Sequence, residues 1–131
     1  MTEKEIISFL DLYNYKFEIK SNKIIVDLGY KLLVSISIKE NGTILIEDCL
    51  KGWNPVSGLI DFTIKKAILF NTVGLFIVFI LSELSKIPAY FYKYDYTYML
   101  IIFTANNFMW LFWYIIRFEA FKIKLEIWLK K

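Results

Sequence analysis

The chain has 131 residues, of which 57% are hydrophobic, 19% aromatic and 22% charged. Because soluble globular domains are about 45–50% apolar, apolar and charged residues must be segregated along this chain. Residues 1–66 contain nine lysines and nine acidic residues, whereas residues 67–131 contain seven basic residues against four acidic ones. A nucleic-acid-binding domain would carry a basic stripe, so the neutral N-terminal half argues against one.

The residue types that are missing exclude several kinds of chemistry. There is no histidine, which removes the usual acid–base group at neutral pH and the commonest imidazole metal ligand. Cys49 is the only cysteine, so no disulfide can form within the chain. Glu47 and Asp48 precede it, but strand alternation places them on opposite faces, which indicates a solvated strand end. The sequence therefore predicts a protein that is not an enzyme and that uses no cofactor or metal.

Residues 1–57 have the pattern of a small β-rich domain. Residues 3–13 repeat apolar side chains at spacings of three and four, which predicts a short amphipathic helix. Four short alternating segments follow, at residues 15–20, 23–28, 32–39 and 43–50. Asn41-Gly42 separates the last two and is typical of a tight hairpin turn. We expect an antiparallel β-meander with the N-terminal helix over one face.

Residues 58–116 are predicted to form a transmembrane hairpin, with spans at about 63–84 and 96–116. The first span has sixteen consecutive uncharged residues, roughly 24 Å of helix, so it needs the flanking Lys65 and Lys66 to reach the headgroups. The second span has twenty-one uncharged residues and meets the length requirement by itself. The fold class expected is an α+β membrane protein: a β-meander, an N-terminal helix and a two-helix hairpin.

The tail, residues 117–131, fits two structures. Its apolar residues alternate with charged ones as in a strand, yet they also share one helical face. A helix continuing out of the membrane is favoured, and a strand joining the N-terminal sheet is the alternative. Basic residues flank both spans on the side of the termini, so the positive-inside rule predicts a cytoplasmic head and tail. The tyrosine-rich connection between the spans is expected on the other side.

Five polar residues within the spans are the main candidate site: Asn106, Asn107, Thr104, Asn71 and Thr72. An unpaired amide in hydrocarbon costs free energy, so each asparagine should face protein or water. One interpretation is a polar pore lining formed by several copies. The other is hydrogen bonding between helices. Both favour self-association, because the two adjacent asparagines point about 100° apart on a helix.

A second candidate set lies where the head meets the membrane. Trp53, Asn54 and Pro55 precede the first span and are interpreted as an interfacial anchor, with Trp53 at headgroup depth. The alternative is a coupling elbow through which the head would tilt the first span. The same interfacial set includes Lys65, Lys66 and Arg117.

This layout, a compact β-rich head joined to two helices with asparagines at mid-membrane, resembles the small membrane effectors of bacterial antiphage defence systems. The resemblance implies a homo-oligomer that forms pores in, or disrupts, the bacterial inner membrane under control of its cytoplasmic domain. Its partners would be the lipid bilayer, further copies of the chain, and a regulatory nucleotide or protein. The alternative function is a non-conducting membrane adaptor, immunity or accessory protein that binds a partner protein.

Overall fold

A computed structural model of the chain describes residues 3–39, 42–85 and 97–130. The described residues form three helices and a four-stranded antiparallel sheet. In chain order these elements are α1 (Glu3–Leu12), β1 (Lys16–Lys20), β2 (Lys23–Asp27), β3 (Leu32–Ile38), β4 (Ile44–Leu50), α2 (Ile64–Ser85) and α3 (Thr97–Leu129). The predicted helix, meander and pair of long apolar helices are confirmed, and each strand differs from its predicted bounds by one residue at one end.

The sheet has the order β1-β2-β3-β4, so each strand pairs with its neighbours in sequence. Ser21 and Asn22 connect β1 to β2 and have φ angles of 44° and 67°. Two central residues with positive φ match the twist of the flanking strands, which explains the tight turn. Gly42, before β4, has a φ of 77°, whereas Asn41 lies outside the described residues.

One face of the sheet is covered by α1 and by the C-terminal half of α3. The sheet and these two helices share one hydrophobic core. Side chains at alternate positions of β2 and β3 are buried, as period-two alternation requires. The core residues of these layers are Ile6, Phe9, Leu10, Ile24, Val26, Leu32, Val34, Ile36, Phe121 and Leu125. The head is therefore completed by residues from the far end of the chain.

The tail continues α3 as a helix to Leu129, so the favoured prediction is confirmed and the strand alternative is wrong. Phe121 and Leu125 are spaced by four residues and are both buried. The Phe121 ring centroid lies 6.1 Å from that of Phe9 in α1. The Trp128 indole also donates a hydrogen bond to the carbonyl of Glu5 at 3.3 Å. The tail forms a helix, not a strand, because α1 provides a surface against which the apolar face of that helix packs.

The helices α2 and α3 are 22 and 33 residues long and pack against each other. By length and composition both can cross a membrane. Only 11% and 17% of the residues in their most apolar windows are buried within the chain. Large apolar side chains such as Phe76, Phe79 and Ile102 are more than half exposed. The predicted tyrosine-rich connection falls almost wholly in residues 86–96, outside the described residues.

Candidate functional site

Asn71 and Asn107 are the two buried residues among the five candidate polar residues of the long helices. Asn71 is 9% exposed, and its amide donates to the carbonyls of Ala67 at 2.8 Å and Val56 at 2.9 Å. Asn107 is 3% exposed and donates to the carbonyl of Phe103 at 2.9 Å. Asn71 thus joins α2 to the segment that precedes it, fifteen residues away in sequence. Both amides are satisfied within one chain.

The other three polar residues are less buried. Thr72 is exposed, and its hydroxyl donates to the carbonyl of Ile68 in its own helix at 2.9 Å. Thr104 is half-buried. Asn106 is exposed, and no hydrogen bond joins its side chain to another residue within the described ranges. The structure therefore places the five residues in different environments within one chain, and Asn106 is an exposed amide in an apolar helix.

The segment before α2 is organised by one buried side chain, Asn54, which is 1% exposed. Its carbonyl oxygen accepts the N–H groups of Val56 at 3.1 Å and Ser57 at 2.9 Å. Its amide donates to the carbonyl of Gly52 at 3.1 Å and to the Ser57 hydroxyl at 2.8 Å. The backbones of Asn54 and Gly58 also exchange two hydrogen bonds of 3.0 Å. We call residues 52–60 the Asn54 loop.

The outer surface of the Asn54 loop is apolar. Trp53 is 69% exposed and Leu59 is 80% exposed, whereas Pro55 is half-buried. Lys65 and Lys66 follow as exposed residues in the first turn of α2. Exposed tryptophan and leucine beside lysines are typical of a segment at headgroup depth, where apolar and charged groups are both solvated.

The first turn of α2 is capped from the sheet. The Thr63 hydroxyl accepts the N–H of Lys66 at 3.3 Å, and the Asp48 carboxylate accepts the N–H of Ile64. Asp48 is in β4, on the same face as the buried Leu50. A carboxylate at a helix N-terminus stabilises the unpaired N–H groups and the helix dipole. The prediction of a solvated strand end is thus wrong for Asp48, because its face of β4 meets α2.

A second connection joins the head to α3 through the turn between β2 and β3. Tyr30 and Lys31 both have left-handed backbones, with φ of 47° and 68°. The Tyr30 ring lies 5.3 Å from that of Trp110 and 5.0 Å from that of Trp113, centroid to centroid. The Tyr114 hydroxyl donates to the Tyr30 carbonyl at 2.8 Å. We call this set the Tyr30 contact.

Arg117 lies one turn beyond Trp113, and its guanidinium is 5.2 Å from the centre of that indole ring. The Arg117 side chain is exposed. Sequence reasoning identified Arg117 but missed the Tyr30 contact. The signal for it was the cluster of Trp110, Trp113 and Tyr114 at the end of an apolar run, where an interfacial belt or a docked head would both be expected.

Groups with reactive chemistry are sparse in the described residues. No group of three or more cysteine, aspartate or glutamate side chains within residues 3–39, 42–85 and 97–130 is placed to hold a metal ion. Cys49 is half-buried, and burial, with a smaller contribution from the charge of Asp61, raises the pKa of its thiol. A raised pKa makes the thiol a weaker nucleophile at neutral pH.

Comparison of the chain with protein-family models, curated proteins and solved structures finds no match. Two features stand out: an unpaired amide on the outer face of α3, and a head joined separately to the base of each long helix.

Proposed function

We propose that the chain inserts into the bacterial inner membrane through α2 and α3, with both termini in the cytoplasm, and assembles into a homo-oligomer. In this proposal the oligomer forms a pore or lesion that the head regulates. The observation that carries it is the exposed, unpartnered amide of Asn106. The membrane itself is supported by two apolar helices whose surfaces are largely exposed in the single chain.

Self-association would lower the free energy of placing that amide in the membrane. In hydrocarbon, a polar group without a hydrogen-bond partner costs several kcal/mol. Two α3 helices that bring their Asn106 side chains together recover about 0.6–2 kcal/mol for each interhelical bond. A ring of such amides around an axis also gives water a hydrogen-bonding surface. Asn71 and Asn107 give no comparable driving force for self-association, because their amides already donate hydrogen bonds within the chain.

Regulation by the head is supported by its two attachments. Asp48 caps α2, and the Asn54 loop reaches the same helix through Asn71. The Tyr30 contact and the buried Phe121 hold α3. A ligand or partner that changes the shape of the sheet would therefore act on both helices. The resemblance to antiphage effectors makes a nucleotide or a protein partner the regulator to test, and antiphage defence the biological role.

The decisive experiment replaces Asn106 with leucine. We expect N106L to insert normally but to lose self-association and ion flux in liposomes, together with toxicity in cells. N106Q keeps an amide and should retain activity. T72V is the matched control, because Thr72 is also exposed and polar but bonds within its own helix. Unchanged flux and copy number in N106L, measured by native mass spectrometry, would sink the proposal.

A second function, a non-conducting adaptor, is favoured by the open edge of β4. Beyond its partner β3, β4 pairs only at Leu50, with Phe62, among the described residues. An extended segment of a partner protein can add to such an edge. A proline at Ile46 should then abolish partner binding. A stable complex with another protein, combined with no conductance, would replace the pore hypothesis.

A further inference from the structure

An open cleft of about 410 Å³ lies in the head, between the α1–β1 turn, the end of β2 and α3. Tyr13 and Tyr15 contribute aromatic rings to its lining, and α3 contributes Arg117, Phe121 and Lys124. The three α3 residues follow each other at spacings of four and three, so they share one helical face. A volume of this size lies within the range of small-molecule sites.

The cleft has an excess of positive charge. Lys16, Arg117 and Lys124 line it, against the single carboxylate of Asp27. One oxygen of Asp27 already accepts the N–H of Gly29 at 2.8 Å. None of the three cations forms an ion pair with another residue in the described part of the chain. Three cations held at one concave surface without carboxylate partners attract an anion.

The kind of anion follows from the groups present. A guanidinium offers paired N–H donors that match two phosphate oxygens, and a lysine adds a point charge. The Lys124 ammonium lies 5.7 Å from the centre of the Tyr13 ring, so a charged and an aromatic surface adjoin. We propose that this cleft binds the phosphate group of a small organic phosphate, with Arg117 and Lys124 on the phosphate and the tyrosines against the attached group.

Two sources can supply that phosphate. Arg117 directly follows the second predicted span, so the headgroup of an anionic lipid in the cytoplasmic leaflet is within reach. A water-soluble phosphate ester is the other source. The lipid source rests on the membrane insertion proposed above, whereas recognition of phosphate does not. Binding in detergent micelles and ion flux in liposomes therefore test the two proposals separately.

The test uses the full chain in a neutral detergent and follows its melting temperature at constant ionic strength. Inorganic phosphate and glycerol 3-phosphate are titrated against chloride. The same measurement in phosphatidylcholine nanodiscs, with and without phosphatidylglycerol, reports the lipid source. The cleft variant is R117Q/K124Q. The control is K122Q/K130Q, which removes the same charge from α3 and from the residue that directly follows it, and neither of its residues lines the cleft.

We expect saturable stabilisation by glycerol 3-phosphate, at least about tenfold weaker in R117Q/K124Q and unchanged in the control. K16Q, in β1, should weaken binding without altering α3. If phosphatidylglycerol stabilises the wild type and not the cleft variant, the source is the lipid; if only the soluble phosphates do so, it is a soluble ester. An equal loss in both double variants, or no saturable effect of either kind of phosphate, overturns the proposal.

Discussion

Replacement of Asn54 with alanine tests whether the Asn54 loop is held by one side chain. The substitution removes the acceptor for the N–H groups of Val56 and Ser57, both in residues only 5% exposed. It also removes the donor to Gly52 and to the Ser57 hydroxyl. Each buried group left without a partner costs about 1–3 kcal/mol. Since water can reach part of the loop, we expect a total loss of about 2–4 kcal/mol.

Amide hydrogen exchange measures this loss where it occurs. A change of about 2 kcal/mol corresponds to roughly a 30-fold change in the open population, so exchange at Val56 and Ser57 should accelerate at least that much in N54A. N54D is the graded control, because a carboxylate still accepts both N–H groups but cannot donate. We expect its exchange rates to lie between those of wild type and N54A.

W53A gives the matched negative control. Trp53 is 69% exposed and adjoins Asn54, so its removal should leave exchange in the loop unchanged. If N54A exchanges no faster than W53A, the hydrogen bonds around Asn54 do not hold the loop. If N54A accelerates amide exchange equally across the whole head, the substitution lowers the global stability of the fold. That result would refute the inference that Asn54 stabilises only its own loop.

Three further predictions concern the contacts of the head. D48A should cost about 1–2 kcal/mol by removing the cap of α2, whereas E47A, exposed on the opposite face of β4, should stay within about 0.5 kcal/mol of wild type in thermal unfolding. Y114F should cost about 1 kcal/mol in the same assay by removing the hydrogen bond to Tyr30, and an unchanged melting temperature would contradict that contact. Maleimide labelling of Cys49 should reach its half-maximal rate at a higher pH in the folded chain than in urea, because burial raises the pKa of the thiol and less thiolate is present at each pH. Coincident pH profiles would argue against that burial.

The meander was predictable because its signals are local. Alternation over five to seven residues and turns with positive φ define β1 to β4 almost to the residue. The tail was ambiguous because residues 117–131 satisfy two periodicities at once. Only the approach of α1, which follows from the tertiary fold, selects the helix. The local sequence pattern predicted the helices and strands but not which of them pack against each other.

The contacts between the head and the two long helices could not be predicted from such local patterns. Asp48 and Ile64 are 16 residues apart in sequence, and Tyr30 and Tyr114 are 84 apart. No periodicity relates them, since the fold brings them together. The same limit applies to the adjacent asparagines of α3. Helical geometry gives the angle between Asn106 and Asn107, but the tertiary fold decides which of them is buried.

The unbroken length of α3 has a mechanical consequence. At about 1.5 Å per residue its 33 residues form a rod of roughly 50 Å, with Asn106 in its N-terminal third and Phe121 buried in the head, in its C-terminal third. Because a helix resists twisting along its axis, the head and this rod turn together. A turn of about 100° would bring Asn106 to the angular position that Asn107 now occupies. Torque applied to the sheet would thus reach these two amides without any part of α3 unfolding.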